Sequence, residues 1–274
     1  MIYPTGLVRS SVMMSQRHAM PARLVSAHEP PAEYSMWEYA PEPFLQTNND
    51  CVACAIAGAW STQWSQINDM PWLPEYHVRS DPSPAWLYGR YHAADRQDTG
   101  AQFGRMLEIL KGGVASLEYM PYVANAWKAE PTLSAVMSAN GHPGPREYYC
   151  VFAWGQAAKA NIIKRELSLG RPVLVGSWTD AGWQSYKGGD LAPVEEQGGA
   201  HATFLYGYDS DVAWGLNSWG KDWGDDGSYF MPWAVLEQDV FEAWVMNTSG
   251  QVQGVTDAVG VMAATAHDQA MDRG

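Results

Sequence analysis

The stretch Gly198-Gly199-Ala200-His201-Ala202-Thr203-Phe204-Leu205-Tyr206-Gly207-Tyr208, with Val212-Ala213-Trp214-Gly215-Leu216 and Asn217-Ser218-Trp219-Gly220-Lys221-Asp222-Trp223-Gly224 after it, decides how the rest of the chain is read. Two apolar, β-prone runs, 202–208 and 212–217, flank Asp209-Ser210-Asp211 and predict neighbouring strands joined by a tight turn. A histidine stands at the lip of the first strand and an asparagine at the end of the second. Across a strand pair the two come side by side, the asparagine oxygen fixing one ring nitrogen while the other faces a third group. Asp209-Ser210-Asp211 itself reads as a hairpin turn, since no further carboxylates follow at calcium-loop spacing.

Working outward, the third group is sought among the cysteines. Asn48, Asn49 and Asp50 are capping residue types, and Cys51-Val52-Ala53-Cys54-Ala55-Ile56-Ala57-Gly58-Ala59-Trp60 is apolar on every face, which predicts a buried helix with a polar start. A thiol in the first turn meets unpaired N–H groups and the positive end of the helix dipole, which favour thiolate. Cys51 fits that position, and Cys54, one turn on, is the alternative; either could equally be a small core residue. Asp50 is expected to cap the helix while its charge opposes a neighbouring thiolate.

Further helices are expected over 103–111, stopping at Gly112-Gly113, and over about 157–169, ending at Gly170. Additional strands are expected over 173–175, 228–231 and 241–246. Helices first and strands later make an α+β fold of two subdomains. The expected divisions are an extended N-terminal arm over 1–45, interrupted by six prolines, a helical subdomain over 46–130, a β-rich subdomain over 131–247 and a small-residue tail over 248–274. The tail carries Val252, Val255, Val259, Val261 and Met262 with few charges and reads as an attachment element.

Composition narrows the function. With 274 residues, 17 Lys plus Arg and 30 Asp plus Glu, the net charge is −13, the wrong sign for displacing counterions from nucleic-acid phosphates. Fourteen Trp and fourteen Tyr with only 17% charged residues indicate a folded chain able to bury a substantial core. Three cysteines, Cys51, Cys54 and Cys150, leave at least one free thiol and fit a reducing compartment. No signal peptide or membrane span is expected, so the reading is a soluble protein, cytoplasmic or part of an assembled particle. No cofactor is expected, and His18, His28, His77, His92, His142 and His267 show no zinc-ligand spacing, so no metal is expected either.

From about residue 46 to 246 the chain resembles the papain-like cysteine peptidases. The blocks that carry the resemblance are His201 to Tyr208, the gapless Asn217-Ser218-Trp219-Gly220-x-x-Trp223-Gly224-x-x-Gly227-x-Tyr229, Gly100 to Gly113 with Tyr119-Met120-Pro121-Tyr122, Arg171-Pro172-Val173, and Trp183-x-x-Tyr186-x-Gly188-Gly189. His201 and Asn217 lie 150 and 166 residues after Cys51, close to the spacing known for such enzymes. The resemblance implies a helical subdomain and an antiparallel, barrel-like one with a cleft between them. It also implies a thiol hydrolase that cleaves peptide bonds in peptide or protein substrates through a Cys51–His201–Asn217 triad and a thioester. Trp219 would shield the triad, Gln46 or Asn48 would help hold the oxyanion, and Gly100, Ala101, Gln102 and Ala200 would line the cleft.

The nucleophile stretch, Gln46-Thr47-Asn48-Asn49-Asp50-Cys51-Val52-Ala53-Cys54-Ala55, departs from the family's pattern, and it admits alignment on Cys51 or on Cys54. Cys51 is preferred because it directly follows the cap and because Ala53 then keeps its place. The arm is too short for the family's inhibitory prodomain and lacks its helical motif. Two further readings stay open. One is acyl transfer to an amine on the same triad. The other is a papain-like scaffold with little turnover, serving as a structural or binding component of a larger assembly such as a phage virion, with a Trp-rich surface and with arm and tail as docking elements.

Overall fold

The computed structural model describes residues 2–11, 18–19, 29–74, 79–152 and 158–248; the tail expected beyond 248 lies outside the described residues. In chain order the elements are β1 (Tyr34–Ser35), α1 (Cys51–Ile67), α2 (Pro84–Tyr91), α3 (Phe103–Lys111), α4 (Leu133–Gly141), β2 (Glu147–Phe152), α5 (Lys159–Ser168), β3 (Val173–Thr179), α6 (Ala181–Ser185), β4 (Gly199–Tyr208), β5 (Val212–Leu216), β6 (Ser228–Pro232), α7 (Trp233–Asp239) and β7 (Val240–Asn247).

Helix α1 is the central element. Every residue from Cys51 to Gln63 is buried, as an apolar sequence with no polar face requires. Each fully buried side chain such as Val52 or Ile56 contributes about 1.5–3 kcal/mol by leaving water. Its start differs from expectation. Asp50 occupies the N-cap position, but its side chain makes no capping hydrogen bond; the carboxylate is drawn away by the Tyr122 hydroxyl, which donates to Oδ2 at 2.9 Å. Helix α2 is started by Ser83, whose hydroxyl accepts from the Trp86 N–H, with Pro84 at the first position where a missing N–H costs nothing. Helix α3 buries Phe103, Met106, Leu107 and Leu110 on one stripe.

The strands form one antiparallel sheet in the order β2-β7-β3-β4-β5-β6, with β1 added on β4. In the β3–β4 pairing His201 stands opposite Ser177, and in the β4–β5 pairing Phe204 stands opposite Leu216, which leaves Asn217 one step beyond the end of β5. The tryptophans are used inward. Trp127, Trp183, Trp219, Trp223 and Trp244 are fully buried, and Trp37 alone among the described tryptophans counts as an exposed large apolar residue, so the expected Trp-rich surface is not found. Among the described residues no helix is long and apolar enough to cross a membrane.

Candidate active site

His201 and Asn217 are brought together by the strand pair. His201 Nε2 lies 2.8 Å from Asn217 Oδ1, and the Ser218 N–H donates to the same oxygen at 2.7 Å. An oxygen accepting from a backbone N–H cannot be the amide nitrogen, so Nε2 must carry the proton and, in the neutral ring, Nδ1 carries the lone pair. Nδ1 is buried and has no hydrogen-bond partner. The Trp219 indole stacks on the imidazole at 4.6 Å between centroids with 28° between planes. Trp183 meets both rings edge-on, which excludes water from the His201–Asn217 bond.

Cys51 is the first residue of α1 and is wholly buried. Backbone N–H groups of Ala202, next to His201, and of Gly6 reach its sulfur, yet burial dominates and pushes the thiol up to about 12, with the Asp50 charge adding to the rise. Burial likewise pushes His201 down to about 4, only partly opposed by its bond to Asn217. The Cys54 thiol donates to the Tyr122 hydroxyl at 3.4 Å, and burial followed by the Asp50 charge raises it well above its ordinary value. Cys51 is the cysteine whose sulfur is reached by the backbone N–H next to His201, while Cys54 lines a small pocket with Ala202, Thr203 and Asn217.

Gln46 and Asn48 part company. The Gln46 amide donates to the Pro4 carbonyl at 3.2 Å and to the Asn48 carbonyl at 3.0 Å, and its Oε1 accepts from the Ser218 hydroxyl, which ties it to the asparagine turn. Asn48 turns its amide to Thr47 Oγ1 at 3.2 Å and toward Asp50. That leaves Gln46 as the side-chain amide directed at the cleft.

The cleft is filled from within the chain. Tyr3 stacks on Trp219 with centroids 4.9 Å apart and planes 8° from parallel, and its backbone exchanges hydrogen bonds with the Gln184 amide. The Pro4 carbonyl accepts from both Trp219 Nε1 at 3.1 Å and Gln46 Nε2. Ala101 donates to the Gly6 carbonyl and accepts from the Val8 N–H, both at 2.8 Å, while Leu7 donates to the Ala200 carbonyl at 3.2 Å. Gln102 Nε2 reaches the Arg9 carbonyl at 3.0 Å. Gly100, Ala101, Gln102 and Ala200 are thus gathered into two walls, and residues 3–9 run between them as an extended peptide.

Two glycines make this fit possible. A Cβ on Gly6 would lie 2.0 Å from the Asn49 carbonyl oxygen, and one on Gly100, whose φ is +81°, would lie 2.1 Å from the Gly6 carbonyl oxygen. The arm is too short for the family's inhibitory prodomain, yet its residues 3–9 are held along the cleft by hydrogen bonds of their backbone. Sequence reasoning missed Tyr3, Pro4, Gly6, Leu7 and Gln184 at this site. Nothing in an unpatterned, proline-interrupted arm says where it docks. Among the described residues no group of three or more His, Cys, Asp or Glu could hold a metal ion.

A family model described as papain family cysteine protease matches residues 97–237, a span that includes His201 and Asn217. The cathepsin B-like protein CP3 of Giardia intestinalis is 25% identical over 241 residues, covering 82% of this chain and 76% of its own. Among solved structures, xylellain, a cysteine protease from Xylella fastidiosa, aligns with a TM-score of 0.72 at 22% identity, covering 90% of this chain and 96% of its own. Procathepsin L2 from the larval midgut of Tenebrio molitor aligns with a TM-score of 0.71 at 20% identity, covering 89% of this chain and 78% of its own.

Proposed function

The chain belongs to the papain family of cysteine proteases, and we propose that it cleaves peptide bonds with a Cys51–His201–Asn217 triad that its own N-terminal arm keeps closed. The observation that carries this reading is the His201 ring, held by Asn217 through Nε2 and left with an unpartnered, buried Nδ1, in surroundings shared with the first residue of α1. With residues 3–9 in place the thiol and the imidazole are both desolvated and stay neutral, so the proton remains on sulfur. Departure of the arm admits substrate and returns part of the lost hydration.

In the open cleft Nδ1 takes the Cys51 proton, and the sulfur attacks the scissile carbonyl carbon, forming a C–S bond as the carbonyl electrons move to oxygen. The Cys51 backbone N–H and the Gln46 amide hold that oxyanion. The oxyanion collapses, the C–N bond breaks, and the imidazolium gives its proton to the departing amine. Water, deprotonated by Nδ1, then attacks the thioester; the acid leaves and the proton returns to sulfur. Asn217 keeps the ring in the required tautomer throughout, and Trp219 keeps water from their bond.

The test is an epoxide thiol probe applied to the full chain and to a chain lacking residues 2–11, with the labelled residue located by mass spectrometry. Labelling of Cys51, faster without the arm, is the expected result. Labelling of Cys54, or of neither cysteine in the truncated chain, would overturn it, and the latter would favour the scaffold reading. Against that reading, residues 3–9 of the arm are held by their own cleft. Transfer to an amine acceptor is separated from hydrolysis by the mass of the product.

A further inference from the structure

The residue before the nucleophile is a buried acid that the peptidase mechanism does not use. Asp50 is enclosed at the head of α1, and one of its oxygens, Oδ1, is buried without a hydrogen-bond partner. The other accepts from Tyr122, whose hydroxyl in turn accepts from the Cys54 thiol, so a chain Cys54–Tyr122–Asp50 runs beneath the start of the helix. A carboxylate freed from capping duty and half satisfied is poorly stabilised as an anion. It also lies one residue from the sulfur that must become an anion.

We propose that Asp50 is a positioning residue that gates Cys51: ionised, it holds the neighbouring sulfur as thiol, and on taking a proton from solvent it releases the sulfur to ionise against His201. This rests on the peptidase reading above and makes that peptidase one favoured by mild acid.

The groups that bear on Asp50 come from several elements. Tyr122, from the segment after α3, donates a hydrogen bond that favours the anion, and the Asn48 amide, turned toward it from the loop before α1, favours it as well. Asp98, from the loop after α2, repels the charge; it is itself held by the Tyr88 hydroxyl at 2.7 Å and the Asn49 N–H at 2.9 Å. On α1 itself the Asp50 charge raises both Cys51 and Cys54, in each case after burial. Burial outweighs the hydrogen bonds and lifts the Asp50 carboxyl to about 6, so the gate changes state within a range that solution pH reaches.

The sign follows. Below pH 6 Asp50 is neutral and the repulsion on the Cys51 sulfur is absent; above it the charge is present and the thiol is harder to ionise. A neighbouring charge that moves the sulfur's pKa by about one to two units changes the thiolate about 10- to 100-fold at a given pH.

The experiment is a 13C NMR titration of the full chain labelled at cysteine Cβ, which reads Cys51 whether or not the arm is in place, with C51A to assign the signal. In the unsubstituted protein the Cys51 resonance should show a step near pH 6 besides its own titration. In Asp50→Asn that step should vanish and the Cys51 thiolate should form about one to two units lower. Tyr122→Phe, which keeps the charge and removes its donor, should move the step upward. Should Asp50→Asn fold poorly, Asp50→Ser removes the same charge and is read the same way. Superimposable Cys51 titrations with and without the Asp50 carboxylate would overturn the proposal, since a merely structural role would change stability but not the thiol pKa. Such a result would leave the peptidase reading standing. Failure of the thiol-probe labelling would leave the coupling measurable.

Discussion

The two sides of the cleft are built differently. On one side His201 and Asn217 sit at the ends of paired strands, with the closest orienting contacts made by the turn: Asn217 to the ring, Ser218 to Asn217, Trp219 over the imidazole. On the other side Cys51 begins a helix whose cap residue does not cap, under the N-terminal arm and next in sequence to an acid. The His201–Asn217–Ser218 bonds of the first side do not involve the arm, which touches that side at Trp219. The second is set by its neighbours, and its chemistry changes when they move.

The largest effect that would break this contrast concerns the nucleophile. Cys51→Ala should remove peptide hydrolysis by about 10³-fold or more, because Cys51 is the group proposed to form the acyl intermediate. Hydrolysis of a fluorogenic peptide by the arm-free chain measures it, and retention of more than a tenth of the rate would move the nucleophile elsewhere.

Next comes a stability difference that separates the two sides by pH. Asp50 has a folded pKa raised to about 6, so the stability linked to it is fully present below its unfolded value and is lost as pH rises through about 6. His201, lowered to about 4, works in the opposite sense: its contribution is full above its unfolded value of about 6.5 and is lost as pH falls toward 4. Asp50→Asn removes the first and leaves the second. The stability of the variant minus that of the parent should therefore rise between about pH 4 and pH 6, by on the order of 2–3 kcal/mol, in urea titrations. A difference that stays flat with pH would mean that Asp50 is not buried as an acid.

The same contrast explains what the sequence could and could not tell. The strands β3 to β7 are legible because each is an apolar or alternating run bounded by Gly, Asp or Pro, and the Asn217 turn is legible because its glycines and tryptophans stand at fixed offsets. Helix α2 and strand β2 went unread although both carried local signals, Ser83-Pro84 as a helix start and Tyr148-Tyr149-Cys150-Val151-Phe152 as a β-former run. The arm carried none: backbone hydrogen bonds to Ala101 and Ala200 are available to almost any side chain, so only Gly6, which could have stood in any turn, hinted at a close approach. Capping by Asp50 was the natural expectation from residue type, and it failed because a distant tyrosine, Tyr122, competes for the carboxylate.

A smaller effect tests the arm directly. Gly6→Val places a side chain where a Cβ already meets the Asn49 carbonyl, so the arm must leave the cleft or shift within it. Initial hydrolysis by the otherwise intact chain should rise by about tenfold, about 1.4 kcal/mol in the closing equilibrium. An unchanged rate would show that residues 3–9 do not limit access.

The smallest effect belongs to the second cysteine, and it sharpens the contrast within the helix itself. Cys54 is buried one turn beyond Cys51, and its sulfur has a partner of its own in Tyr122. Cys54→Ala removes a small core side chain and one weak donor, so chemical denaturation should report a loss of about 1 kcal/mol. Tyr122 keeps its bond to Asp50 in that variant, and His201 keeps its place against Asn217. Hydrolysis by the arm-free chain should accordingly stay within about twofold, since no group that meets the substrate has moved. A large drop in rate with little change in stability would reverse the roles of the two thiols, placing the nucleophile one helical turn further from the cap.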